Sequence, residues 1–407
     1  MTPQNRMRFR WSSHFSWRHK PGHSPRLKAT GAFNLVLRIM WAMLTRIYID
    51  NFRCFVNFEY RPTEKQLLLG ANGSGKSSLL DAILQIKSFI GGEESPFTQS
   101  TRTRWQDKPL QVLEVDALLD REEYQYRVEI RFDSDTRQAL VHAESLKVSG
   151  ATRFELASGE LRFFLDGSIH DTAKPPDRTR STLYLSRLSS PHVHRFMEWL
   201  DSVHCLRIDA YAGEMSETAD SGESQPDYEL GNLAGWYRYL LQAHPAENVR
   251  FLSSLKEALE GFQELRFYSS AGGVEQLRAV FPASANKRVN YTLSELSDGQ
   301  RYLIALYMIL HFLVVKGHTV FIDEPDNFIA LREIQPWLKR AEEAVEDSHG
   351  QLILISHHPE ILNQWASRHG LRFFRENNGH VRTEKFRDDP RGDLLPSELI
   401  ARGWEDA

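Results

Sequence analysis

The sequence predicts an α/β fold in which a parallel core sheet is flanked by helices and carries, in addition, an antiparallel β meander and a small helical insertion. Three observations carry that reading. A glycine-rich stretch, GANGSGKSS at 70–78, stands between a short apolar run and a helical pattern. Beyond residue 297, helical and strand patterns alternate, as a parallel sheet wrapped by helices requires. Between these, residues 110–170 hold strand-like segments separated by charged or glycine turns, which is the pattern of a meander.

Taken in order, the apolar positions Leu44, Ile47, Ile49, Phe52, Phe55 and Phe58 predict a strand and its partner. QLLLG at 66–70 predicts a short buried strand, followed by a helix from Lys76 to about Phe89. The segment GEMSETADSGESQPDYE, 213–229, lacks the apolar residues of a packed element and reads as a mobile acidic loop and a candidate partner surface. Leu233, Trp236, Tyr237, Leu240 and Leu241, then Val249, Leu252, Leu255 and Leu259, recur at helical spacing, and strand pairs follow near 264–281. The order then becomes helix, strand TVFID, helix 331–346, strand QLILIS, helix 360–369 and strand LRFFRE. No internal repeat or sustained heptad is present.

With 407 residues, 41% hydrophobic and 26% charged, the chain can bury a substantial core. Cys54 and Cys205 are the only cysteines and match no metal-ligand spacing, which predicts neither a disulfide framework nor a zinc site and suits a reducing cytoplasm. The longest apolar candidate, 32–44, is short and interrupted by Arg38, so no membrane span is expected. Before Met43 lie Arg6, Arg8, Arg10, Arg18, Lys20, Arg26, Lys28 and Arg38 and no acidic residue, leaving a body more acidic than the net charge of −4. That balance argues against coating nucleic acid by bulk charge, although a local basic patch stays open. Residues 1–42 are expected to be a disordered leader, readable as sequence upstream of the true start, as a flexible arm or as a targeting segment. The remainder divides into an N-terminal lobe at 43–190, a helical insert region at 191–290 and a C-terminal lobe at 291–407.

GANGSGKS has the spacing of a phosphate-binding loop in the strand-to-helix setting that such a loop needs. Gly70, Gly73 and Gly75 let backbone N–H groups turn inward, with Asn72, Ser74 and Ser78 completing the binding stretch. Lys76 is expected to reach the β- and γ-phosphates, and Ser77 to offer its hydroxyl to Mg²⁺. The strand HTVFIDEP ends in two acids whose side chains diverge to opposite faces. Asp323 is then expected in the Mg²⁺ shell, and Glu324 as the group that orients and polarises the attacking water. In LSDGQ, Leu296 to Gln300, Ser297 and Gly299 can direct a hydroxyl and an N–H at a γ-phosphate from a helix start, with Asp298 beside them.

Phosphate loop, LSDGQ, DE and then ISHH, in that order, resembles the ATP-binding-cassette ATPases. The resemblance implies a head in which the signature stretch Leu296, Ser297, Asp298, Gly299 and Gln300 closes on ATP held by a second copy, so that ATP binding makes a homodimer. It also implies that His357, after QLILIS, contacts the γ-phosphate, whereas His358 packs. LTRIYIDNFRCF looks like the RecF, SMC and OLD-type branch, and there Arg53 either approaches nucleotide or a partner or is a surface arginine between two buried aromatics. The family's Mg²⁺-sensing glutamine is assigned to Gln111, with Gln106 as the alternate. Asp326 and Asn327 occupy the D-loop position, where the family contacts its dimer partner. The set LSDGQ, DEPDN, REIQPWL and ISHHPE resembles compact bacterial AAA ATPases that work with a separately encoded nuclease or toxin, often in phage defence. ATP and Mg²⁺ are the implied cofactors, and DNA stays open as a further partner. Two other readings remain: a nucleotide-dependent scaffold with negligible turnover, and a transporter energiser, disfavoured by the long interval from Lys76 to Leu296 and by the RecF-like opening. No nuclease cluster follows Glu376, so DNA cleavage is expected to need another polypeptide.

Overall fold

Strand β1 (Ala42–Asp50) buries Leu44, Ile47 and Ile49, and a register shift between Leu44 and Arg46 restores the two-residue period after an irregular start. In this computed structural model the described residues are 41–133, 138–165, 167–175, 178–185, 190–208, 215–219, 221–269, 274–283 and 287–403. The basic leader up to residue 40 lies outside them. The next strands are β2 (Phe58–Tyr60) and β3 (Lys65–Leu69), then helix α1 (Lys76–Ile90). β4 (Leu110–Leu119), β5 (Glu122–Phe132), β6 (Ala139–Val148), β7 (Ala151–Ala157), β8 (Glu160–Leu165) and β9 (Ser168–Ala173) form the meander. With β1 and β2 they make one antiparallel sheet in the order β2-β1-β4-β5-β6-β7-β8-β9.

After α2 (Thr182–Leu185) and α3 (Pro191–Asp201) comes β10 (Val203–Arg207), a strand that the sequence reading left inside the helical insert. It is an edge strand of the parallel sheet, paired with β15 (Thr319–Asp323). β11 (Thr218–Ala219), α4 (Leu233–Ala243), α5 (Pro245–Ala258), β12 (Glu264–Ser269), β13 (Glu275–Pro282) and β14 (Arg288–Thr292) make up the middle region, where β13 pairs with the other three strands. The last part holds α6 (Asp298–Phe312), β15, α7 (Leu331–Ser348), β16 (Gln351–Ile355), α8 (Pro359–His369), β17 (Gly370–Arg375), β18 (Val381–Lys385) and α9 (Pro396–Ala401).

The second sheet runs β10-β15-β16-β3-β17-β18, parallel except for β18. β15 and β16 are buried along their whole length, which explains their continuous apolar sequences. Alternate side chains serve two cores. Leu68, Phe321, Ile353, Ile355 and Phe373 pack with α1 and the antiparallel sheet, while Leu67, Leu69, Val320, Ile322, Leu352 and Leu354 pack with the helices of the other face. In that second core α6 is buried on nearly every side from Tyr302 to Leu310, as a central helix that is apolar all round must be. Gln351, fully buried, joins the two sheets: its Oε1 accepts from Leu44 N at 2.7 Å and its Nε2 donates to Leu44 O at 3.0 Å.

Two expectations are corrected here. The described parts of 213–229 are packed, not loose: Thr218 and Ala219 pair with β13, Met215 and Ala219 are buried, and Asp227 accepts from the N–H groups of Gly231 and Asn232 at 2.7 and 3.1 Å. Polar side chains satisfy the backbone there, a packing mode that apolar counting overlooks. Val249, expected on the inner face of α5, is 69% exposed; Asn248, Phe251 and Leu255 take that face. Among the described residues, no helix is long and apolar enough to cross a membrane.

Candidate functional site

At the end of β3 the chain turns through the glycine-rich loop into α1. Gly70 has φ +133°, and a Cβ there would lie 2.1 Å from Phe373 O of the neighbouring strand, so this turn admits only glycine. Lys76 is buried with its chain folded back, Nζ donating to Gly70 O at 2.5 Å and Ala71 O at 3.2 Å. Burial lowers its pKa, opposed by the charges of Asp323 and Glu324. Asn72 and Gly73 are exposed on the loop, Ser74 and Gly75 are buried, and Ser78 is half-buried.

Ser77 Oγ donates to Asp323 Oδ2 at 3.1 Å, joining the loop to the end of β15. Asp323 is buried, and its pKa is raised by desolvation, relieved in part by Ser77. The chain leaves the strand through Glu324 in a left-handed conformation, φ +52°, with its N–H donating to Ile355 O at 2.8 Å. Its Oε2 accepts from Asn327 Nδ2 at 2.9 Å. Next to it Asp326 Oδ1 accepts from the fully buried Ser356 hydroxyl at 2.6 Å, and that hydroxyl accepts in turn from His358 N at 3.0 Å. His358 caps α8, Nδ1 accepting from Glu360 N at 3.2 Å. His357, between them, is exposed and shares with Gly70, Ala71, Arg372 and Phe386 the wall of a cavity of about 130 Å³. Partial burial and the Lys76 ammonium lower its pKa.

A family model described as "AAA domain, putative AbiEii toxin, Type IV TA system" matches residues 67–363, a span from β3 through the phosphate-loop and acidic-strand residues to α8. The chain belongs to this AAA family. Among curated proteins, none matches it in sequence. In structure, this AAA protein is similar to an SMC head bound to the C-terminal winged-helix domain of ScpA, at 13% identity and TM-score 0.51, over 84% of this chain and 97% of the other. The SMC head domain from Thermotoga maritima matches at 15% identity and TM-score 0.43, over 85% and 99% of the two chains. A Pyrococcus furiosus Smc head with an extended coiled coil, bound to the ScpA C-terminal domain, matches at 11% and 0.49, over 90% and 99%. The first of these likenesses carries the fold assignment, an SMC-head type of P-loop ATPase architecture, and at that identity carries the fold alone.

In the AAA protein the LSDGQ residues form the start of α6. Leu296 is buried, whereas Ser297 is exposed and caps α6, its Oγ accepting from Gln300 N at 3.3 Å while Gln300 Oε1 accepts from Ser297 N at 3.0 Å. Asp298 pairs with Arg301. Gly299 lies under the loop that follows Asp323: a Cβ there would stand 2.7 Å from Phe328 O.

Gln111 lies on β4. It is fully buried, with Nε2 donating to Asn51 O at 2.8 Å and Thr101 O at 3.4 Å, while its Oε1 is buried and has no hydrogen-bond partner among the described residues. Gln106 Oε1 is buried and without a hydrogen-bond partner. Arg53 pairs with Asp81 of α1. Sequence reasoning missed Ser356, which stands in the quoted ISHH stretch beside the histidines that drew attention. It missed Arg375 too, whose Nη1 donates to Gly73 O at 3.3 Å; an arginine at a strand end carries no sequence signal for that contact.

Proposed function

We propose that the protein binds and hydrolyses ATP with Mg²⁺, dimerises on ATP so that LSDGQ of one copy closes on GANGSGKS of the other, and thereby switches a separately encoded partner, a nuclease or toxin in DNA maintenance or phage defence. The observation that carries the reading is the contact of Ser77 with Asp323, which brings a hydroxyl, a buried carboxylate and the ammonium of Lys76 to one loop mouth. Ser77 and Asp323 would hold Mg²⁺, whose charge would offset the negative charge of the phosphates. The residues fit that ion: Ser77 and Asp323 offer hard oxygens, and the carboxylate of Asp323 is buried with a raised pKa, as suits a group awaiting a cation. Among the described residues no cluster of three His, Cys, Asp or Glu forms a cage.

Lys76 exchanges its loop carbonyls for phosphate oxygens when nucleotide enters. Glu324 orients the attacking water and accepts its proton, with Asn327 steering the carboxylate. A neutral His357 donates a hydrogen bond to charge developing on the γ-phosphoryl group. Among the described residues, the bonds of Ser297, Gln300 and the Asp298 side chain stay within their own turn, and the N–H groups of that helix start would meet a phosphate from a second copy. ATP thus supplies contacts present only in the closed state, the differential affinity that a switch needs.

The test is phosphate release together with light scattering. Wild type should turn over ATP; Glu324→Gln should bind it, hydrolyse it roughly 10²–10⁴-fold more slowly and accumulate as a larger species with ATP and Mg²⁺. Rapid turnover by Glu324→Gln would remove Glu324 from the chemistry, and an unchanged size would remove the dimer.

A further inference from the structure

The sheet order fixes a direction for a nucleotide on the loop. β15 and β16, which carry Asp323, Glu324 and His357 at their ends, lie on one side of β3, and β17 lies on the other. Since Ser77 and Asp323 mark the metal and γ-phosphate end, the base must leave toward β17.

Two residues stand on that side with no role assigned so far. Arg375, at the end of β17, donates to Gly73 O at 3.3 Å, Gly379 O at 2.7 Å and Asn378 O at 2.5 Å, so carbonyls hold its guanidinium plane in place. Its Cζ lies over the Trp105 ring, 5.4 Å from the centroid. Trp105 is 49% exposed even with Arg375 against its ring. The segment that carries it is held firmly, with Arg53 N donating to Thr101 O at 2.7 Å and Thr103 Oγ1 to Phe55 O at 3.2 Å. A large aromatic ring kept in water on a rigid segment, linked through one arginine to the crown of a phosphate loop, is a prepared stacking surface.

We propose that Trp105, backed by Arg375, is the seat of the nucleobase of the nucleotide whose phosphates occupy residues 70–78. The inference rests on the nucleotide reading above and adds the ligand's other end. Stacking uses the π-face that every base has, so this seat tightens binding without selecting adenine over guanine.

Calorimetric titration of wild type, Trp105→Ala, Trp105→Phe and Lys76→Ala with the Mg²⁺ complexes of ATP, GTP and tripolyphosphate tests it. Trp105→Ala should weaken ATP and GTP alike by roughly 5- to 150-fold and leave tripolyphosphate, which has no base, unchanged. Trp105→Phe should keep most of the affinity. If Trp105→Ala binds ATP as wild type does, or loses tripolyphosphate as much as ATP, the base seat is wrong. Lys76→Ala reports separately: undiminished tripolyphosphate binding there would overturn the phosphate-loop reading itself.

Discussion

Ser77 Oγ and Asp323 Oδ2, 246 positions apart in sequence, stand 3.1 Å from each other. That bond ties the helix after the glycine loop to the end of β15. It also leaves Asp323 as a buried carboxylate whose burial opposes its own charge.

A stability prediction follows from Asp323. Its pKa is raised in the fold, so between the unfolded value and the folded one the native state binds more protons than the unfolded chain, and stability falls as pH rises through that window. Above it the penalty is complete. Asp323→Asn should therefore melt higher than wild type at neutral pH without Mg²⁺, while losing ATP turnover. A lower melting temperature would show that the charge is compensated in the free protein.

The opposite sign holds at the other edge of β15. His204 Nε2 and His318 Nδ1 lie 3.0 Å apart in a stacked pair, His204 buried on β10 and His318 half-buried beside β15. Burial first, then Lys87, lowers both pKa values, that of His318 to about 4. The unfolded chain then binds more protons, so stability is full above the ordinary histidine range and drains away as pH falls toward about 4. Thermal melts at pH 7.5 and 5 should show the loss, and His318→Gln should reduce it. Equal pH dependence in the variant would assign the acid loss elsewhere.

Gly299→Ala should disturb the signature start directly, because the new Cβ would meet Phe328 O at 2.7 Å. A cost of about 1–3 kcal/mol is expected, seen as a lower denaturation midpoint, together with loss of the ATP-induced larger species. Wild-type behaviour in both would mean that the 324–330 loop yields freely.

Glu144 is a fully buried carboxylate that accepts from Tyr126 Oη at 2.8 Å, Ser181 Oγ at 2.5 Å, and Thr182 N and Oγ1 at 2.7 and 2.6 Å. Glu144→Leu strands these donors at about 1–3 kcal/mol each, and Glu144→Gln, which keeps an acceptor, should be milder. Chemical denaturation measures both; a neutral Glu144→Leu would contradict the network's role.

Much of this was legible in the residues because period and spacing are local. β15 and β16 announce themselves as continuous apolar runs, with Asp323 and Glu324 at the end of β15, and Lys76 opens the helix that the glycine loop leads into. Contacts set by the third dimension were not legible. VHCLR at β10 is too short and mixed to be told from a helix end, and only its pairing with β15 makes it part of the sheet. The anchoring of Gln111 Nε2 on the carbonyls of Asn51 and Thr101 is likewise set by the fold and by no local pattern. The pairing of Arg375 with Trp105 joins a strand end to a loop 270 positions away, which no pattern in one sequence discloses.

The central claim is that one ATP site takes its phosphate loop from one copy and its signature from another. Mixing Lys76→Ala chains with Ser297→Arg chains tests it, because each variant alone lacks both complete sites, whereas a mixed dimer regains one. Random pairing of equal amounts makes half the dimers mixed with one site each, so phosphate release should return to about a quarter of the wild-type rate. A mixture as inactive as its two components would contradict the shared site.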